Sequence, residues 1–243
     1  MGWNAFNCQR NQMGNMAMTH RFPSASPLHH AALKTKQRSL REGFPLPLTL
    51  RVHRALSWLT RAEQEKDDED VRFILLWVGF NAAYAVNIEQ EAHSERGRFQ
   101  AFFGTLVGLD AAHRIYDMVW ERFSNEIRLL LDNRHVFAAY WAHQNGEAGY
   151  ADWEQRLQRS RNSVAKALRE HDTARILSIL FDRLYVLRNQ LVHGGATWNS
   201  DVNRGQVRDG ASLLGCLLPV FIDLMMDHPD QAWPMPHYPV VED

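Results

Sequence analysis

The chain is predicted to be an all-α, single-domain helical bundle with a flexible, irregular N-terminal tail, and three observations predict it. Apolar residues recur at three- to four-residue intervals in one segment after another. Acidic residues stand at the heads of these segments, where helix N-termini need acceptors and negative charge. Strand-like alternation and internal repeats are not visible between the segments.

The elements follow in order. Residues 1–46 mix Asn, Gln, Met, His, Ser and Pro without a sustained period and are expected to be an irregular tail. From Pro47, the residues Leu48, Leu50, Val52, Leu56, Leu59 and Ala62 trace the stripe of a first helix. The run Asp67-Asp68-Glu69-Asp70 suits the positive N-terminus of a second helix. Its body, Phe73 to Val86, is nearly all apolar and is expected at the centre of the core. A shorter helix is expected over Arg98 to Val107, and Asp110 caps a longer one running towards Asn133. Gly146 and Gly149 break the pattern, after which Asp152-Trp-Glu-Gln155 reads as a capping box opening a basic helix that runs to about Glu170. Asp172 caps the next helix, whose stripe of Ile176, Leu177, Leu180, Leu184, Leu187 and Leu191 ends at Gly194. The last helix should run from near Val202 to near His228 with a kink at Pro219. The Pro-rich end, 229–243, cannot continue it and should be extended. The bundle proper is therefore expected over 47–228.

Composition narrows the function classes. Of 243 residues, 45% are hydrophobic, enough for a sizeable core. The longest apolar runs, Phe73 to Val86 and Leu213 to Met226, are short and interrupted by Asn81 or by Pro219 and Asp223, so no membrane span is expected. The N-terminus has no apolar signal core, and Phe6 stands where a myristoylation signal needs Ser or Thr, which points to a cytoplasmic protein. Cys8 and Cys216 have no metal-ligand spacing, and no cofactor or metal is expected. Walker, dinucleotide-binding, His-Glu-x-x-His and Gly-x-Ser-x-Gly signatures are missing. The net charge of −1 hides an uneven distribution. Residues 156–208 carry ten Lys/Arg against four acids, a stretch that would steer an anionic partner.

That basic stretch contains Leu184-Tyr-Val-Leu-Arg188-Asn189-Gln-Leu-Val-His193-Gly194-Gly195. With 23 Arg and 12 His, about one Arg-x4-His match arises by chance at any single spacing, so context carries the signal. Here Asn189 follows the arginine directly, the segment is helical, and two glycines stop it just after the histidine. On a helix Asn189 and His193 share a face, whereas Arg188 lies roughly 140° round from His193 and reaches back only by its length. The three residues supply a cation, a donor and an acid/base. Cleavage of RNA by its own 2′-hydroxyl needs a proton removed, a proton delivered and positive charge beside the phosphate. One imidazole cannot act as acid and base at once, so two copies of the motif make mechanistic sense. Structural roles compete with this reading: Arg188 could pair with Asp182 or Asp201, and His193 could cap the helix. A second match, Arg128 with His135, is followed by Leu129-Leu130-Leu131 and reads as core, as do Tyr84, the tryptophans and a hydrogen-bonded Asn81, although Asn81 could instead support the active helix.

Three segments together resemble the HEPN family, of the Apea-like type. They are Arg51-Val-His-Arg-Ala-Leu-Ser-Trp58-Leu-Thr-Arg-Ala62, Phe73-Ile-Leu-Leu-Trp-Val-Gly-Phe-Asn-Ala-Ala-Tyr84, and the late helix with Arg188-Asn189-x3-His193. The resemblance covers roughly residues 47–228. It implies a helical bundle that dimerises, brings two such motifs together and, in active members, cuts RNA without a metal as a toxin, defence effector or processing enzyme. Arg188, Asn189 and His193 would then be catalytic, and RNA, a second copy and an antitoxin or regulatory protein would be the partners. Some members are silenced by a nucleotidyltransferase at a Tyr two residues after the His, and Gly195 in that place does not fit such control. The alternative is a non-catalytic helical module that binds RNA, a nucleotide or a protein through the same surface.

Overall fold

A computed structural model describes residues 28–85 and 95–238, and among these the chain is all-α with ten helices and no strand. The helices are α1 (His30–Leu40), α2 (Leu46–Gln64), α3 (Glu69–Tyr84), α4 (Glu95–Leu109), α5 (Arg114–Asp117), α6 (Ser124–Asp132), α7 (Ala138–Gln144), α8 (Trp153–Glu170), α9 (Thr173–Val192) and α10 (Arg204–Asp227). The predicted all-α class is correct.

The centre is built from α3, α9 and α10, with α2 packed on α3 and α10, and α4 on α9. Aromatic side chains join them: Phe80 of α3 stands 4.5 Å from Phe181 of α9, Phe103 of α4 stands 4.6 Å from Phe181, and Phe221 of α10 lies 5.7 Å from Phe103. These rings are fully buried, so each removes a large apolar area from water. Two glycines allow the helices to close up. A Cβ on Gly79 would come within 2.9 Å of Leu218 Cδ2, and one on Gly210 within 2.8 Å of Phe73 Cε2.

Several boundaries differ from the sequence expectation. Part of the stretch read as tail is helical: α1 buries Leu33 and Gln37, and its Lys36 bonds Asp223 and Asp227 of α10, both at 2.6 Å. Its weak apolar pattern finds a partner only when α10 and α2 are folded beside it. Residues 1–27 lie outside the described residues. The long helix expected from Asp110 is broken into α5, a π-helical turn at Met118–Arg122 and α6, although Asp110 does accept from the Ile115 N–H at 2.6 Å. Leu129, read as core, is 68% exposed, and Arg128 and His135 are exposed with it.

Caps divide likewise. Asp68 accepts from Val71 N–H and Asp172 from Arg175 N–H, as helix-start acids should. Asp152 does not cap α8. Its backbone (φ −90°, ψ 20°) departs from the extended geometry that aims a side chain at the first turn, and its carboxylate takes Arg156 and Arg159 instead. The last helix runs through buried Pro219. Among the described residues this is the one helix long and apolar enough to cross a membrane by composition, but 78% of its apolar window is buried inside the bundle.

The C-terminal stretch to residue 238 is irregular, as expected of its prolines, and is strapped to the bundle. Trp233 is buried, and the carbonyls of Pro234 and Met235 accept from Arg51 of α2 at 2.7 and 3.3 Å. Residues 239–243 lie outside the described residues.

Candidate active site

Helix α9 carries the motif because its stripe from Ile176 to Leu187 is buried, which leaves only the last turn free to emerge. Arg188, Asn189 and Gln190 are half-buried, and His193, the C-cap, is exposed. Gly194 follows in the left-handed conformation (φ 70°) that glycine adopts without steric cost.

The end of α9 is held from two sides. Gln190 Nε2 donates to His135 O at 2.6 Å, and Ala196 N–H returns to Gln190 O at 3.1 Å. Beyond it, the loop to α10 is tied to the N-terminus of α3. Trp198 Nε1 donates to Asp68 Oδ2 at 2.6 Å, and Asp70 Oδ2 takes Asn199 N–H at 2.7 Å and Arg204 Nη2 at 2.8 Å. Burial pushes the Asp68 carboxyl up, but the Val71 N–H, the Trp198 indole, the Asp70 N–H and the Arg204 charge outweigh it, so the group titrates below the usual carboxylate range.

The motif side chains have few structural obligations. Arg188 Nη1 donates to Asn189 Oδ1 at 2.9 Å, and no carboxylate among the described residues pairs with Arg188. The pairing with Asp182 or Asp201 allowed by the sequence is therefore absent there. His193 contributes its backbone N–H to Asn189 O at 3.0 Å, while its imidazole makes no hydrogen bond or ion pair among the described residues. Asn189 thus links the other two, by its amide oxygen to one and its carbonyl to the other.

Arg188 lines a cleft of about 450 Å³ where α2, α3, α4 and α9 converge beneath the C-terminal strap, and His193 lies outside that lining. Arg54 and Trp58 come from α2, Asn81 from α3, Arg98 from α4 and Tyr185 from α9. Sequence reasoning missed Arg54, Trp58, Arg98 and Tyr185. Asn81, read as a hydrogen-bonded core residue, is half-buried in this cleft, with no side-chain hydrogen bond among the described residues. The available signal was spacing: Arg54 and Trp58 are i, i+4, and Tyr185 and Arg188 are i, i+3, so each pair shares a helix face. A larger cleft of about 940 Å³ contains Lys66, Arg72 and Arg122, but Glu63, Asp117 and Glu121 offset them.

Val186 is buried within the chain by its own neighbours and is closed to a partner copy. Val192 is 46% and Trp198 74% exposed, so the apolar surface beside the motif is shifted into the loop. Among the described residues no three His, Cys, Asp or Glu side chains are grouped to hold a metal ion. Comparison of the chain with family models, characterised proteins and solved structures finds no match.

Proposed function

We propose that this protein is a metal-independent endoribonuclease in which Arg188, Asn189 and His193 act at the end of α9. The observation that carries the reading is that Arg188 has no carboxylate partner and the His193 imidazole no partner at all among the described residues, although both sit on a firmly held helix end. Among the described residues no salt bridge or side-chain cap, the ordinary roles for these residue types, accounts for them. Arg188 would bear the charge of the phosphate, His193 would transfer a proton, and Asn189 would orient the two. The resemblance to the HEPN family, in order and residue types, supports the same assignment.

The nucleophile is then the substrate's own 2′-hydroxyl, and the products carry a 2′,3′-cyclic phosphate and a 5′-hydroxyl. The reaction is proposed to use a second copy for the second imidazole, with Val192 and Trp198 beside the motif as contact surface, inside the cytoplasm. A toxin, defence or RNA-processing role, restrained by an antitoxin or regulatory protein, would fit this chemistry. The test is RNA cleavage in EDTA by wild type, Arg188→Ala and His193→Ala. Each variant should lose about 10²-fold or more while keeping its helical circular dichroism. Undiminished cleavage by both, 5′-phosphate products, or loss of cleavage in chelator would end this proposal.

The second reading is a non-catalytic module that binds RNA or a nucleotide. It is favoured by one observation, that Arg188 faces a cleft from which His193 is absent. In that case His193→Ala leaves binding intact and no RNA is cut.

A further inference from the structure

Three arginines from three helices, Arg54, Arg98 and Arg188, line the cleft beside the motif, and among the described residues its lining contains no Asp or Glu. All three are half-buried, and none is paired with a carboxylate among the described residues. Confining like charges in this way is unfavourable unless an anion joins them. Few of their donors are committed. Arg54 Nη1 gives one bond to Tyr238 O at 2.6 Å and Arg188 Nη1 one to Asn189, while Arg98 makes none among the described residues. Arg54 also acts on buried Arg51, whose guanidinium pKa is pulled down to about 10, first by burial and then by the charge of Arg54.

The rest of the lining is flat and aromatic. Trp58 is 40% exposed, Tyr185 is half-buried, and Trp77 backs Tyr185 at 6.1 Å between ring centroids. Two polar groups have no hydrogen-bond partner among the described residues: the half-buried amide of Asn81, and the buried His237 Nδ1 on the strap. A volume of about 450 Å³ falls within the range of small-molecule sites, roughly 300–1,000 Å³.

We infer that this cleft is a nucleotide-binding site, in which Arg54, Arg98 and Arg188 hold the phosphate, Trp58 and Tyr185 stack the base, and Asn81 meets a base edge. Guanidinium forks match phosphate oxygens, and aromatic faces accept any base. The inference rests on the proposed function only in choosing a nucleotide over another phosphorylated aromatic molecule. The nucleotide is either free or one unit of an RNA strand.

The experiment is calorimetric titration with AMP, UMP, inorganic phosphate and a 2′-O-methylated RNA decamer, using wild type, Arg98→Gln, Arg54→Gln, Trp58→Ala and His193→Ala. Arg98→Gln should weaken every probe about 10-fold. Trp58→Ala should weaken nucleotides and decamer about 10-fold and leave phosphate unchanged. His193→Ala should bind AMP as wild type does. Arg54 also bonds the strap, so Arg98→Gln, which breaks no bond among the described residues, is the decisive variant. Binding of AMP marks a free nucleotide as the ligand, and binding of the decamer alone marks RNA. The inference is overturned if none of the nucleotide probes binds at millimolar concentration, or if Arg98→Gln and Trp58→Ala leave nucleotide affinity unchanged, even when wild type cleaves RNA. Conversely, Arg98- and Trp58-dependent binding without any cleavage would sustain the site and remove the proposed catalytic function.

Discussion

Arg51→Met should loosen the C-terminal strap and destabilise the fold by about 1–3 kcal/mol. Arg51 is 1% exposed, and its guanidinium spans two elements. Nη1 and Nη2 donate to Ala83 O and Ala85 O at the end of α3, at 2.7 and 3.0 Å, while Nε and Nη2 reach Pro234 O and Met235 O. The α3 carbonyls belong to the last turn of a helix and have no helical donor of their own. Methionine keeps an unbranched stem and removes all four bonds. The Pro234 and Met235 carbonyls belong to exposed residues and can rehydrate when the strap lifts, so they cost little. The carbonyls at the end of α3 lie deeper, and stranding them costs roughly 1–3 kcal/mol each. Against this, the variant no longer buries a cation. Burial and the charge of Arg54 pull the Arg51 guanidinium down to about 10, which corresponds to roughly 3 kcal/mol of relief at most. With about 2 kcal/mol for each of the two carbonyls and a relief of about 1–3 kcal/mol, a net cost of about 1–3 kcal/mol remains. Arg51→Lys should resemble the Met variant, since one ammonium cannot bridge both segments as a planar fork does. Urea unfolding gives the stability, and hydrogen exchange of residues 228–238 reads the strap. A change below about 0.5 kcal/mol with unaltered exchange would refute the clamp.

Two glycines should respond with opposite signs. Gly104→Ala in α4, where a Cβ meets nothing within 4 Å, should stabilise by about 0.5–1 kcal/mol through helix propensity. Gly210→Ala should destabilise by about 1–2 kcal/mol, because its Cβ would press on buried Phe73 and Leu184, at 2.8 and 3.1 Å. Equal effects in thermal unfolding would contradict the packing of α10. Asp223→Asn should cost roughly 2–4 kcal/mol at neutral pH, since Asp223 joins Lys36 of α1 to Arg114 of α5. Burial raises the Asp223 carboxyl, but the Arg114 and Lys36 hydrogen bonds and charges outweigh it and leave it lowered. A lowered carboxyl gives stability that is complete above the ordinary carboxylate range and is lost as pH falls through its folded value. The gap between wild type and Asp223→Asn should therefore shrink in acid, and a gap independent of pH would count against the network. Finally, Asn189→Ala should reduce RNA cleavage less than Arg188→Ala, because a neutral group orients more than it stabilises, and an equal loss in kcat would assign Asn189 a larger role.

The sequence by itself determined the helical class and most helix starts. Periodicity and capping are local, so Asp68 and Asp172 are readable as caps, and Gly194 as a stop, without knowledge of neighbours. It also marked Arg188, Asn189 and His193 as candidate catalytic residues, while leaving an ion pair for Arg188 and a cap for His193 as open alternatives. Tertiary structure alone decided what surrounds them. α1 is held by Lys36 on Asp223, nearly two hundred positions away in the chain, which no local pattern encodes. Leu129 falls outside the core because α6 offers the bundle only one face, burying Ile127, Leu130 and Leu131. Arg54, Asn81, Arg98 and Tyr185 are unremarkable on their own helices, and they form one cationic aromatic cleft only because α2, α3, α4 and α9 converge there. Local chemistry selects the elements, whereas a site assembled from several helices depends on which of their faces the buried core turns towards one another.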